Sequence, residues 1–154
     1  MSDTPRIWWE DFVVGKVLTS GTVEVTKEEI VDFARRYDPQ RFHVDEEAAK
    51  QTMFGGLIAS GWMTASLTMR LMCDAYLLDS ASLGSPGVEQ LKWLKPVRPG
   101  DVLQVRTTVL ETRPMGSKPH IGLAKSRMET VNQHGEVVLA MEAWGMYRRR
   151  EPAA

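Results

Sequence analysis

The segment WMTASLTMRLMCDAYLL, residues 62–78, constrains the fold more than any other part of the chain. Its only charges are Arg70 and Asp74, one helical turn apart, where they can pair along a single edge. The remaining positions are apolar or small on every side, the pattern of a helix buried nearly all round. No apolar run reaches the roughly 18 residues that a membrane span needs, which predicts no membrane helix. A central buried helix in water has to be wrapped by something else.

The second half of the chain has the pattern to do the wrapping. GVEQLKWLKPV (87–97) reads as a strand and RPGD (98–101) as a turn. In DVLQVRTTVLE, Leu103, Val105, Thr107 and Val109 alternate with more polar neighbours. HIGLAKSRMETV alternates again, with Ala124, Ser126, Met128 and Thr130 on one face and Lys125, Arg127 and Glu129 on the other. After the tight turn QHGE (133–136), Val137, Leu139, Met141, Ala143 and Gly145 share one face of a further strand. Long strands joined by short turns predict an antiparallel meander.

The first half supplies a Val- and Thr-rich strand at 13–26 and then a helix at 27–37. Thr26 and Glu29 have capping-box spacing, and Ile30, Phe33, Ala34 and Tyr37 recur at helical intervals. Pro39 disfavours helical geometry at Asp38, so the helix should end there. Asp38 is then at a helix exit and His43 at the far side of a short loop. DEEAAKQ (45–51) reads as a second short helix, acidic in its first turn. A glycine-broken apolar stretch, MFGGLIASG, leads into the long helix. The order predicts one α+β domain over 1–154, with flexible ends at 1–8 and 149–154.

Composition excludes several function classes. Lys and Arg (19) nearly balance Asp and Glu (20), so no global charge draws the chain to nucleic acid. One cysteine, Cys73, rules out an internal disulfide and, in an apolar run, reads as a buried inert thiol. The opening MSDTPRIWWEDF lacks a basic stretch followed by an apolar one, which predicts no secretory leader. Together these features point to a cytoplasmic setting. No Cys/His cluster has metal-ligand spacing and no phosphate-binding glycine motif occurs, so no metal and no separate cofactor are expected.

Three histidines are candidates for proton transfer. His120 and His134 lie at strand and turn positions and read as surface residues. His43 follows a loop that also presents Asp38. Spacing alone leaves two readings: a turn aspartate with a packed histidine, or an acid/base pair. Gly61, at the start of the long helix, adds an open backbone N–H with a helix dipole behind it, suited to a negative oxygen.

The stretch ARRYDPQRFHVDEEAAKQTMFGGLIASGWMTASL resembles the signature region of the MaoC-like, (R)-specific enoyl-CoA hydratases. VRPGD (97–101) is similar to the family's habitual strand-to-strand turn. The resemblance implies a hot-dog fold, an antiparallel sheet curved around one long helix. It implies catalysis by Asp38 and His43, which hold a water between them, and an oxyanion site at the Gly61 N–H. Gln40, Phe54, Gly56, Ser60 and Trp62 would contact substrate, and Lys95 and Arg98, with Lys92, could draw CoA phosphates. The substrate implied is an acyl-CoA or related acyl thioester of fatty acid metabolism, handled by a homodimer with sites near the subunit boundary. A hot-dog thioesterase, using Asp74, and a non-catalytic acyl-thioester-binding protein are the alternatives.

The chain departs from the family pattern in its loop. Gln40 stands where asparagine is usual, Arg41 where proline is usual, and a proline comes earlier, as Pro39. Arg41 is expected to face solvent. Ser60 stands where histidine is frequent; its hydroxyl can bond locally but cannot carry an imidazole's charge.

Overall fold

A computed structural model describes residues 3–151 of the chain. The first strand, β1 (Val17–Glu24), leads to helix α1 (Lys27–Tyr37), whose start is capped by Thr26 accepting the Glu29 N–H. Two short helices follow, α2 (Arg41–Val44) and α3 (Glu46–Lys50), and then α4 (Gly61–Met72). The chain winds on as a π-type turn over Cys73–Leu77 before β2 (Val88–Trp93), β3 (Val102–Pro114), β4 (Ile121–Val131) and β5 (Val137–Arg148).

The strands form a five-stranded sheet in the order β1-β3-β4-β5-β2, and every pairing is antiparallel. The meander β3–β4–β5 runs as the alternation requires. Leu103, Val105, Thr107 and Val109 are all buried, and Ala124, Met128 and Thr130 turn inward from β4. Met63, Leu71, Met72 and Tyr76 of the central helix join the same core. The helix is anchored within the sheet by Thr68, whose hydroxyl bonds the Thr64 carbonyl and, at 2.6 Å, the Thr130 hydroxyl. This is the α+β arrangement, and the sheet-around-helix fold, that the sequence implies.

Four differences in detail have physical causes. The central helix is buried along one flank only. Trp62, Met69 and Leu78 are exposed because that flank faces away from the sheet and nothing among the described residues covers it. Arg70 and Asp74 do pair there, at 3.0 Å. Cys73 is half-buried and lines a cavity of about 380 Å³ together with Met69, Met72 and Tyr76. The loop between Asp38 and His43 contains a helical turn, α2, too short to leave a periodic signature. Residues 13–16 form a turn before β1, with Gly15 at φ 90°.

Residues 1–2 and 152–154 lie outside the described residues. Between them, the ends are tied back: Arg6 and Ile7 donate backbone N–H groups to Asp79, and Arg150 pairs with Asp11. Among the described residues, no helix is long and apolar enough to cross a membrane.

Candidate active site

The site begins where α1 stops. Asp38 closes the helix with its N–H on the Ala34 carbonyl, and Pro39 prevents a further turn. The Gln40 N–H then bonds the Asp38 carbonyl and the His43 N–H bonds the Gln40 carbonyl, which folds the chain back on itself. Winding of α2 turns His43 inward, where its side chain is 5% exposed. Phe42 packs edge-on against the imidazole at 4.5 Å and also meets Phe54.

The histidine is fixed from both sides. Its Nδ1 lies 2.7 Å from the Ile58 carbonyl oxygen. A carbonyl can only accept, so Nδ1 carries the proton, and in the neutral ring Nε2 presents a bare lone pair. That lone pair faces Asp38 Oδ2 at 3.2 Å. At this distance a protonated ring donates its Nε2–H straight to the carboxylate, and beside the neutral ring a reactant O–H set against both acceptors can serve instead.

Asp38 is equally well held. Gln40 Nε2 donates to Oδ1 at 2.7 Å, and the Ser60 hydroxyl donates to Oδ2 at 2.7 Å. Burial acts to raise the Asp38 pKa, but the hydrogen bonds from Gln40 and Ser60 and the nearby His43 together bring it below the usual aspartate value. The group is therefore held as a carboxylate.

Ser60 also starts α4, its hydroxyl accepting the Trp62 N–H at 3.3 Å. Its carbonyl accepts from Met63 and Thr64. The Gly61 N–H has no acceptor among the described residues, as expected for a first-turn donor. The Trp93 indole N–H donates to the Gly61 carbonyl at 2.7 Å. A pocket of about 240 Å³ opens here, lined by His43, Phe54, Ile58, Gly61, Thr64 and Trp93.

The segment carrying these groups is clamped by its neighbours. The Ile58 N–H bonds the Phe42 carbonyl and the Ala59 N–H bonds the Val97 carbonyl. Val97 opens the VRPGD turn, in which Gly100 takes φ 89° and the Arg98 N–H bonds the Asp101 carboxylate. The turn thus braces the residues that precede α4.

The other residues singled out from the sequence fall in different places. Phe54 is on the pocket wall, and Gln40 bonds the Asp38 carboxylate. Gly56 sits beside Arg98, whose Nη1 would be 3.6 Å from a β-carbon there. Trp62 points outward, 59% exposed, and meets Trp93 edge-on at 5.2 Å. Lys95 lines the pocket but is ion-paired with Glu136. Arg98 donates to the Phe54 carbonyl and makes no ion pair among the described residues. Lys92, Arg41, His120 and His134 are exposed. Asp74 is paired with Arg70 and lies about 20 Å along the helix from Gly61, at ~1.5 Å per residue. No group of metal-ligating side chains converges among the described residues.

Three contributors carried no signal in the sequence. Ile58 acts through its carbonyl, which no side-chain pattern reports. Trp93 was legible only as a strand residue, and Thr64 only as part of an apolar helix.

Comparison with known proteins shows the family of the fold. The profile of a protein family described as "MaoC like domain" matches residues 12–132. A solved structure of a MaoC-like dehydratase from Rhodospirillum rubrum superposes with a TM-score of 0.87 and 44% identity, over 94% of this chain and 99% of that one. The uncharacterized protein YdeM of Bacillus subtilis is 31% identical over 80% of this chain and 86% of its own length. The 3-hydroxyacyl-thioester dehydratase Z of Mycobacterium tuberculosis is 32% identical over 66% of this chain and 69% of its own. Against two longer curated relatives, the chain spans 30% and 20% of their length.

Proposed function

The chain belongs to the MaoC-like domain family, and on that premise we propose that it is a hydratase/dehydratase of acyl thioesters. It adds water reversibly to the double bond of a 2-enoyl-CoA, or a related acyl thioester, to give the 3-hydroxyacyl thioester. The observation that carries this reading is the Asp38–His43 pair at 3.2 Å, one hydrogen-bonded residue away from the Gly61 N–H, which has no acceptor among the described residues.

In this reading a water lies against Asp38 Oδ2 and His43 Nε2. Nε2 takes one of its protons as the oxygen bonds to the β-carbon of the enoyl group. The electrons of the double bond move onto the thioester oxygen, which the Gly61 N–H and the α4 dipole stabilise. The imidazolium then returns its proton to the α-carbon and regains the neutral form. Water has been added in full, and neither side chain is consumed. Dehydration is the same path reversed, with Asp38 anionic throughout and orienting the water.

Other parts of the proposal rest on placement. Phe54 and Trp93 flank the acyl group in the pocket, and Arg98, at the Phe54–Gly56 rim, meets an anionic part of the carrier. The chain acts as a homodimer, because Trp62, Met69, Leu78 and Trp93 would otherwise leave an apolar face and the β2 edge in water.

The test follows crotonyl-CoA by two readouts at once. Hydration removes the conjugated thioester absorbance without releasing free thiol. Thiol release would assign a thioesterase instead, and tight binding with neither change would assign a non-catalytic acyl-thioester-binding protein.

A further inference from the structure

Ser60 touches both halves of the site, and its hydroxyl has a single arrangement open to it. A carboxylate can only accept, so the hydroxyl proton points to Asp38 Oδ2 at 2.7 Å. A backbone N–H can only donate, so the Trp62 N–H takes a lone pair of the same oxygen at 3.3 Å. Ser60 is wholly buried, inside the buried run Leu57–Ser60. The hydroxyl itself is out of reach of solvent.

We propose that Ser60 is a positioning residue, which fastens the Asp38 carboxylate to the first turn of α4 so that the proton-handling pair and the Gly61 N–H move as one unit. The inference deepens the proposed hydratase reading and rests on it for its kinetic consequences. Ser60 and Gly61 are consecutive, so a carboxylate bonded to Ser60 cannot drift from the Gly61 N–H without breaking the helix cap. Gln40 holds the other carboxylate oxygen from an exposed loop position and cannot set this relationship. A hydroxyl is also neutral at every working pH. It steadies the anion without adding a titrating group, where an imidazole would add one.

The experiment uses the full chain with Ser60→Ala and Ser60→Gly. Glycine is tolerated at a helix N-cap nearly as well as serine, so Ser60→Gly removes the hydroxyl and keeps the helix start. His43 is the ionisable group whose charge bears on Asp38; Gln40 and Ser60 are neutral. Loss of a hydrogen bond to the charged form raises the carboxylate's pKa. For crotonyl-CoA hydration, both variants should lose kcat by at least about tenfold with KM little changed. The acid limb of the kcat–pH profile should move to higher pH, and Ser60→Thr should restore it. The ¹³C titration of the Asp38 carboxyl should likewise move upward in Ser60→Gly.

A folded Ser60→Gly variant with wild-type kcat, acid limb and Asp38 titration would overturn the proposal. If the wild-type protein hydrates no thioester, the hydratase reading fails, and the Asp38 titration still decides whether Ser60 holds the carboxylate.

Discussion

The indole of Trp93 fills the space in which a β-carbon on Gly61 would stand, 2.5 Å from Cε2, and its N–H bonds the Gly61 carbonyl. The edge strand is thereby pinned to the start of the central helix, and glycine is required there by contact rather than by backbone angle. Gly61→Ala should cost about 1–3 kcal/mol through overpacking. In a Trp93→Ala background the same substitution should cost much less, because the colliding ring is gone. Chemical denaturation of the four proteins in the cycle measures the difference.

The Thr68–Thr130 bond gives a second stability test. Both residues are fully buried, and Thr68 passes its own proton to the Thr64 carbonyl, so Thr130 donates to Thr68. Thr68→Val strands the Thr130 hydroxyl and should destabilise by about 1–3 kcal/mol. Replacing both threonines by valine should cost less than the sum of the single changes, as read from urea unfolding.

The tautomer of His43 is a direct spectroscopic expectation. With Nδ1 bonded to the Ile58 carbonyl, the neutral ring should carry its proton on Nδ1. Long-range ¹H–¹⁵N correlation spectra of the free protein should show a pyrrole-type Nδ1 and a pyridine-type Nε2. The reverse pattern would remove the lone pair that the mechanism assigns to water.

Asp38 should leave a mark on acid stability. Its pKa is lower in the folded chain than the ordinary value of about 3.9, because burial, which raises it, is outweighed by the bonds from Gln40 and Ser60 together with the nearby His43. A depressed carboxylate stabilises the fold above its unfolded pKa and loses that contribution as pH falls through its folded one. The stability gap between wild type and Asp38→Asn should therefore narrow as pH drops below about 4. Unfolding free energies measured across that window test the sign.

Much of this was legible in the sequence for reasons that are local. The period-two alternation of 103–109 and 124–130 names the sheet's inner face, and Pro39 marks where α1 must stop. The VRPGD turn and the Arg70–Asp74 pair are equally short-range. What escaped is what tertiary contact decides. Nothing local in Ser60 reveals that its hydroxyl reaches Asp38, 22 residues away. The outer flank of α4 carries Trp62 and Met69 beside the charged Arg70, so hydropathy read the helix as buried nearly all round although those large side chains are left exposed. A four-residue helix such as α2 has no period to read, yet it is what aims His43 at Asp38. Gln40, expected at the substrate, instead bonds the carboxylate, since its side chain is two residues from Asp38 on the same tight turn.

The central claim is that Asp38 and His43 together activate water for addition to an enoyl thioester. The most direct measurement is the rate of crotonyl-CoA hydration by wild type, Asp38→Asn and His43→Ala, each checked for folding by circular dichroism. The account expects hydration by the wild type and a loss of at least about 10²-fold in kcat in each variant. Two folded variants with wild-type rates would contradict it.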